Sequence, residues 1–327
     1  MLQHRSGAVE AKSKPVVLSG SKSMALEIGI VGVGRMGTEI AANLVSAERQ
    51  VTAYIRRPDR VAALSALGIR PTLKLENLRH CNVVITMLPE DNAVRGVVCG
   101  ANGLASRLQR GAIHLSMSTI GTATATYLAS THAVRDQGYV AAPVFGNPSA
   151  AKAKQLFIIA AGHSADVSRC QPLFDSIGQR TFVVGSDPAH SNLIKLLGNM
   201  MTATTLEAIA ETVAVLLKRG LDPRLFVDIL INTMFGGLAH RKYGDRIVRR
   251  DYAPGFVLPL VLKDVRLALA EAEQAGAPFP SAGVVRDRLI TGIARGYADL
   301  DWTALGLIAA QEAGLDYATG LEHMHKG

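Results

Sequence analysis

The residues Gly32-Val33-Gly34-Arg35-Met36-Gly37 are spaced for chemistry. They follow the apolar run 26–31 and open a helical pattern, in the order strand, glycine turn, helix. In that order Gly32 permits a tight turn and Gly34 lets the backbone approach a pyrophosphate. Gly37 lets the helix pack closely on the strand. The N–H groups and positive dipole end of the helix then face the phosphates. Such a turn predicts a nicotinamide or flavin dinucleotide. About twenty residues on, where an acid would accept from a ribose 2′-OH, the chain reads Arg56-Arg57-Pro58-Asp59-Arg60. Guanidinium groups suit a 2′-phosphate instead, through bidentate charge-assisted bonds. Asp59 follows the proline and is expected to cap the next helix. NADPH (NADP+) is the expected cofactor and NAD(H) the second choice, with a solvated basic turn as the bland alternative.

A second group carries acid–base potential. Lys195 and Asn199 are four residues apart in a helical pattern, which puts them on one face. Lys195 is flanked by Leu193, Ile194, Leu196 and Leu197. A lysine in a dry cleft has its pKa lowered toward neutrality, because desolvation disfavours the ammonium. It could then protonate a carbonyl that receives hydride. Spacing alone fits a surface lysine on an amphipathic helix at least as well. Other chemistries find less support. Ser118 and Ser149 lie in no GxSxG context, and no His/Cys cluster has ligand spacing, so no metal is expected. His323-Met324-His325 reads as a terminal tract.

These groups must be positioned by two kinds of element. Apolar runs at 26–31, 51–55, 82–87, 112–116, 139–142, 156–160 and 181–184 alternate with helical patterns such as 35–47 and 166–176. That alternation predicts a doubly wound, mostly parallel sheet. Beyond Gly185 the strand signal stops. Helical patterns follow at 188–219, 223–232, 258–275, 281–296 and 304–312, the first opening on Pro188 and closing on Gly220. The expected fold is an α/β Rossmann-type N-terminal domain (25–187) and an all-α C-terminal domain (188–327) joined by a long interdomain helix. Residues 1–24, rich in Ser, Lys and Gly, read as a disordered extension.

Composition narrows the classes. The chain has 327 residues and a net charge of +8, yet its basic residues are dispersed and aromatics are 5%. No nucleic-acid surface is indicated. Three cysteines without a CxxC read as reduced residues of an intracellular, cytoplasmic protein. The apolar stretch 193–217 is interrupted by Lys195, Glu207 and Glu211, which favours burial over a membrane span.

Taken together, ordered segments over about 26–315 resemble the β-hydroxyacid dehydrogenase family, whose first domain is of the 6-phosphogluconate dehydrogenase NAD-binding type. The family includes 3-hydroxyisobutyrate dehydrogenases, tartronate semialdehyde reductases and imine reductases. Besides the glycine turn, Met87-Leu88-Pro89 resembles its cofactor-contacting Leu-Pro turn. Ser116-Met117-Ser118-Thr119 resembles its Asp-x-Ser-Thr segment beside nicotinamide and substrate. Ala142-Pro143-Val144-Phe145-Gly146-Asn147 corresponds to Ala-Pro-Val-Ser-Gly-Gly, and Asp301-Trp302-Thr303-Ala304 to a C-terminal Asp-x-Ser-Ala. The resemblance implies Lys195 as catalytic acid/base with Asn199 as partner. In Lys263-Asp264-Val265-Arg266-Leu267-Ala268 it implies that Lys263 reaches the nicotinamide end and that Asp264 belongs to the substrate site. It implies Gly32, Gly34, Arg35, Met36, Gly37, Arg56, Arg57, Met87, Leu88, Pro89, Ser118, Thr119 and Lys263 around the cofactor. Ser118, Thr119, Phe145, Gly146, Asn147, Lys195 and Asp264 fall around the substrate.

Departures from the pattern carry their own expectations. Phe145 stands where acid-specific members place a serine hydroxyl on a substrate carboxylate, Asn147 replaces a glycine, and Pro148 has no N–H. A larger or more apolar substrate is expected, leaning toward imine reductases, whereas Lys195 leans back toward the dehydrogenases. The expected function is NADPH-dependent reduction of an aldehyde or keto acid. Imine reduction is the alternative, and a non-catalytic cofactor-binding scaffold is the alternative of another class. A homodimer or tetramer through the helical domain is implied, with no nucleic-acid or membrane partner.

Overall fold

A computed structural model describes residues 26–316. The extension expected at 1–24 and the tract at 323–325 lie outside the described residues. Strands β1 (Glu27–Val31), β2 (Gln50–Tyr54), β3 (Arg70–Thr72), β4 (Val83–Thr86), β5 (Ile113–Ser116), β6 (Gly138–Ala141), β7 (Val144–Phe145), β8 (Leu156–Gly162) and β9 (Gly178–Val183) form one sheet. Their order is β3-β2-β1-β4-β5-β6-β8-β7, with β9 beside β8. Pairing from β3 through β6 is parallel, β8 runs antiparallel to β6 and β7, and β9 is parallel to β8. The strand order reverses between β1 and β4, and the carboxyl ends on either side of such a reversal form a ligand crevice. Register brings the ends level, with Val31 beside Thr86 and Thr86 beside Ser116. The segments that start at Gly32, Met87 and Met117 therefore leave the sheet side by side.

Strands β4 and β5 are buried along their whole length, as expected of parallel strands covered on both faces. Two short strands were absent from the expectation. The edge strand β3 contains Pro71, which only an edge tolerates, and β7 is two residues long. The last strand begins at Gly178, three residues before the apolar run suggested.

The helical half is organised by Pro188–Lys218, whose start is capped by Asp187 accepting from the Ala189 N–H at 2.9 Å. This helix has the length and hydropathy of a membrane span. It serves instead as the spine of a core, with Leu196, Met200, Ala203, Leu206, Ala210 and Val213 buried against the later helices. Helices Pro223–Ile231, Leu258–Gln274, Pro280–Ala294 and Leu305–Glu312 lie close to expectation. Helix Leu238–Val248 was not expected: its polar sequence buries only Gly244 and Ile247. Ser191 at the start of the spine donates to the Ile159 carbonyl of β8 at 2.5 Å, tying the spine to the sheet just ahead of Lys195.

Candidate active site

At the glycine turn each glycine has a distinct reason. Gly32 has φ +101, and a Cβ there would meet the Met87 carbonyl at 2.3 Å. A Cβ at Gly37 would meet the Gly32 carbonyl at 2.0 Å. At Gly34 a Cβ would meet nothing within 4 Å, so the space over the helix start is open on the side where a pyrophosphate belongs. Gly34 is also the N-cap of helix Arg35–Ser46 and offers no capping oxygen to its N–H groups. Met36 is half-buried against the sheet core. Arg35 turns outward: its Nη1 donates to the Pro254 carbonyl of the helical half at 2.7 Å. That loop is held from behind by buried Asp301, which accepts from the Phe256 N–H at 2.9 Å and pairs with Arg246 at 3.0 Å. Asp301 thus fastens a wall of the crevice.

At the end of β2, Arg56 and Arg57 are exposed, and Arg57 pairs with Asp59 at 3.8 Å. The expected Asp59 cap is corrected. Asp59 lies inside the 3₁₀ turn Pro58–Arg60, whose N-cap is Arg57, and it has turned back to that arginine. Arg60, the last arginine of that run and not one of the two singled out, is better placed. It is half-buried, its Nη2 lies 3.4 Å from the Val33 carbonyl of the glycine turn, and its Nε is buried without a hydrogen-bond partner. The open cradle at Gly34, the uncapped helix start and this orphan guanidinium N–H fit a phosphorylated dinucleotide.

The two neighbouring turns are bolted together. The Leu88 N–H donates to Ser118 Oγ at 2.8 Å, and Ser118 Oγ donates to the Thr86 carbonyl at 3.3 Å. Its hydroxyl proton is therefore committed to backbone. The Gly121 N–H donates to Asp91 at 3.0 Å, and Lys263 Nζ donates to the Thr119 carbonyl at 2.5 Å. Met87, Leu88, Pro89, Ser118 and Thr119 thus form one wall, and Lys263 reaches it from helix Leu258–Gln274.

From that wall a buried polar chain runs to Lys195. Lys263 Nζ lies 2.9 Å from Asp264 Oδ1, and Asn199 Nδ2 donates to Asp264 Oδ2 at 2.6 Å. Lys195 Nζ donates to Asn199 Oδ1 at 2.7 Å. Lys195, Asn199 and Asp264 are all buried. Burial lowers the Lys195 pKa to about 8, Asp264 raises it, and Lys263 lowers it again. The flanking Ile194 and Leu197 are 40% and 36% exposed, so they are not what dries the lysine. The Phe145 ring helps to do so, with its centroid 4.3 Å from Nζ.

Around Phe145 the expected substrate cradle is altered. Gly146 has φ +143 and is exposed. Asn147 Oδ1 accepts from the Ala150 N–H at 3.0 Å and caps helix Pro148–Lys152. The Asn147 side-chain oxygen is thus spent on local structure, which leaves Nδ2 as the group it can turn toward a substrate.

A Rossmann sheet with an open dinucleotide cradle, facing a buried lysine from a helical half, defines a nicotinamide-dependent oxidoreductase. Residues 27–185 match the family described as the NAD binding domain of 6-phosphogluconate dehydrogenase. Residues 190–309 match that described as NAD-binding of NADP-dependent 3-hydroxyisobutyrate dehydrogenase. The Bacillus subtilis (strain 168) protein named uncharacterized oxidoreductase YfjR is 36% identical over 283 residues, 86% of this chain and 98% of its own. The crystal structure of a Salmonella typhimurium 3-hydroxyisobutyrate dehydrogenase superposes with TM-score 0.79 at 22% identity, covering 86% of this chain and 99% of that one. An imine reductase from Bacillus cereus shares the fold with TM-score 0.57 at 19% identity, covering 86% and 98%. The chain belongs to the β-hydroxyacid dehydrogenase family of NAD(P)-dependent oxidoreductases. Its cofactor is a nicotinamide dinucleotide, and the arginines after β2 suit the 2′-phosphate of NADP(H).

Proposed function

We propose that the protein reduces a carbonyl compound with NADPH, using Lys195 as the acid, and oxidises the alcohol in reverse. The observation that carries this reading is the buried chain Lys195–Asn199–Asp264–Lys263–Thr119, which links a proton donor to the cofactor wall. The glycine turn would hold the pyrophosphate, Arg56, Arg57 and Arg60 the 2′-phosphate, and Met87–Pro89, Ser118, Thr119 and Lys263 the nicotinamide end. When bound, the cofactor supplies the hydride. The protein's own part is to place a proton. Lys195 Nζ gives one to the carbonyl oxygen, while Asn199 fixes the ammonium through Oδ1 and is itself held by Asp264. With a pKa of about 8, Lys195 can donate near neutrality and take the proton back in the reverse direction.

The substrate class follows from what faces the lysine. Phe145 supplies no hydroxyl and Pro148 no N–H, so a substrate carboxylate loses two of the donors that would cradle it. An aldehyde or ketone with an apolar flank fits better than a small hydroxy acid. Lys195→Ala should lower kcat by about 10²–10⁴-fold while leaving NADPH affinity within a few-fold. Unchanged turnover would sink the assignment. Imine reduction is the second reading, favoured by the aromatic face of Phe145, which suits an iminium. An iminium arrives already protonated, so that reading predicts turnover of cyclic imines that survives Lys195→Ala.

A further inference from the structure

Phe145 is the residue of the site that departs furthest from an acid-binding pattern, and its surroundings are built for it. The ring leans on the spine helix at Gly198, where a Cβ would lie 2.3 Å from Cζ and 2.7 Å from Cε1. Any other residue at 198 would push the ring off the helix. In its seated position the ring has Lys195 Nζ 4.3 Å from its centroid. Nζ also donates to Asn199 at 2.7 Å. One helical turn therefore carries the lysine, the notch that seats the ring, and the amide that aims the lysine.

We infer that Phe145 and Gly198 are a matched pair, and that the seated ring is a positioning platform holding Lys195 as an ammonium over the substrate. This rests on the reading of Lys195 as the proton donor. The physical case is a balance between opposing influences. Desolvation and the like charge of Lys263 push Lys195 toward the neutral form, while Asp264 pulls it toward the ammonium. These two titratable groups both come from helix Leu258–Gln274; Asn199, on the spine itself, does not titrate. A π face under a desolvated ammonium adds a favourable charge–quadrupole contact, and an aliphatic side chain of similar size does not. The ring thus keeps the site dry, which activates the lysine, and still lets it carry the proton it must give.

The test uses two variants that disturb the pair from opposite sides. Phe145→Leu keeps an apolar filler and removes the π face. Gly198→Ala leaves the ring intact and unseats it, and alanine is the better helix former, so the helix itself is not weakened. Lysine side chains are ¹³C-methylated reductively, the Lys195 resonance is assigned by its absence in Lys195→Arg, and its titration is followed in the protein without substrate. The pH profile of kcat is measured in parallel. Phe145→Leu, which keeps the site filled, should lower the Lys195 midpoint by about one pH unit, whereas Gly198→Ala, which moves the ring away and admits water, should raise it, with the basic limb of kcat following in each case. A resonance that shifts while the kcat limb stays put supports the platform and refutes Lys195 as the acid. A Lys195 midpoint unchanged in both variants overturns the platform, whatever happens to kcat.

Discussion

Replacing Asp264 with Asn tests the buried chain at its one negative charge. The carboxylate accepts from Asn199 at 2.6 Å and pairs with Lys263 at 2.9 Å, and it is 2% exposed. Lys195 feels it across the Asn199 amide, which bonds to both. At an effective dielectric of about 20 this attraction is worth about 2 kcal/mol, and its removal also leaves the Lys263 charge uncompensated. The Lys195 pKa, about 8 in the intact site, should then fall by between about one and two units. Asn at 264 can still accept from Asn199 through its own carbonyl oxygen, so the geometry is largely kept. At saturating NADPH and carbonyl substrate, kcat should drop about tenfold at pH 8 and recover most of its value near pH 6. The basic limb of the profile, not its plateau, is the quantity to read. An equal loss at every pH would mean that Asp264 only holds the fold. An unchanged profile would mean that the carboxylate does not act on the donor.

Three further outcomes follow from separate parts of the structure. Arg60→Ala should raise KM for NADPH about tenfold or more and leave KM for NADH unchanged, since only a 2′-phosphate uses the orphan guanidinium; equal effects on both cofactors would remove Arg60 from the site. Buried His114 and His132 are joined at 2.9 Å, with His114 bonded to Thr86 and His132 to Gln137. Burial lowers both pKa values, that of His132 to about 4, below an unfolded value near 6.5. The unfolded chain therefore binds more protons in this window, and stability present above pH 6.5 is lost as pH falls toward 4. His132 alone should cost about 2 kcal/mol at pH 5, and a melting temperature that is flat from pH 7 to pH 5 would contradict this. Finally, Leu225, Ile229, Met234 and Leu238 are 64%, 52%, 87% and 71% exposed on and between two neighbouring helices, more apolar surface than a lone protein usually leaves in water. A second copy should cover them, so sedimentation should show a dimer or larger species that Ile229→Lys dissociates; a monomeric native chain would refute it.

The sheet and the spine were legible because their signals are local. Apolar runs of strand length and a proline-to-glycine helix need no knowledge of the rest of the chain. What escaped was set by partners distant in sequence. Leu238–Val248 has too little apolar surface to announce a helix, and it forms because Ile247 finds Gly306, where a Cβ would lie 2.7 Å away. Arg60 stood in the basic run, yet nothing local said that its guanidinium would fold back on Val33. Asn147 reads as a substrate residue by its place in a motif, and nothing in that motif announced that its oxygen would also cap the helix that Pro148 starts. Lys195 is an instructive case. Its apolar sequence neighbours suggested a dry cleft, while its spacing fitted a surface lysine at least as well; two of those neighbours are exposed, and what covers the amine is the Phe145 ring, with Asp264 on another helix opposing the loss of its charge.

The proposed proton-donating groups are carried by two helices of the C-terminal half, with Lys195 and Asn199 on one and Lys263 and Asp264 on the other. On the sheet side, the stretch from Val144 to Pro148 holds the positions where the chain departs from an acid-binding pattern. The two meet through space where Phe145 lies under Lys195 and against Gly198. Substitutions at 146–148 can alter which substrate is accepted without touching the donor. A substitution at 145 cannot, because the ring that shapes the pocket is also the surface on which the ammonium rests. Selection for a different substrate through position 145 should therefore drag the pH optimum with it, and only a compensating change at 198 or 264 would restore it.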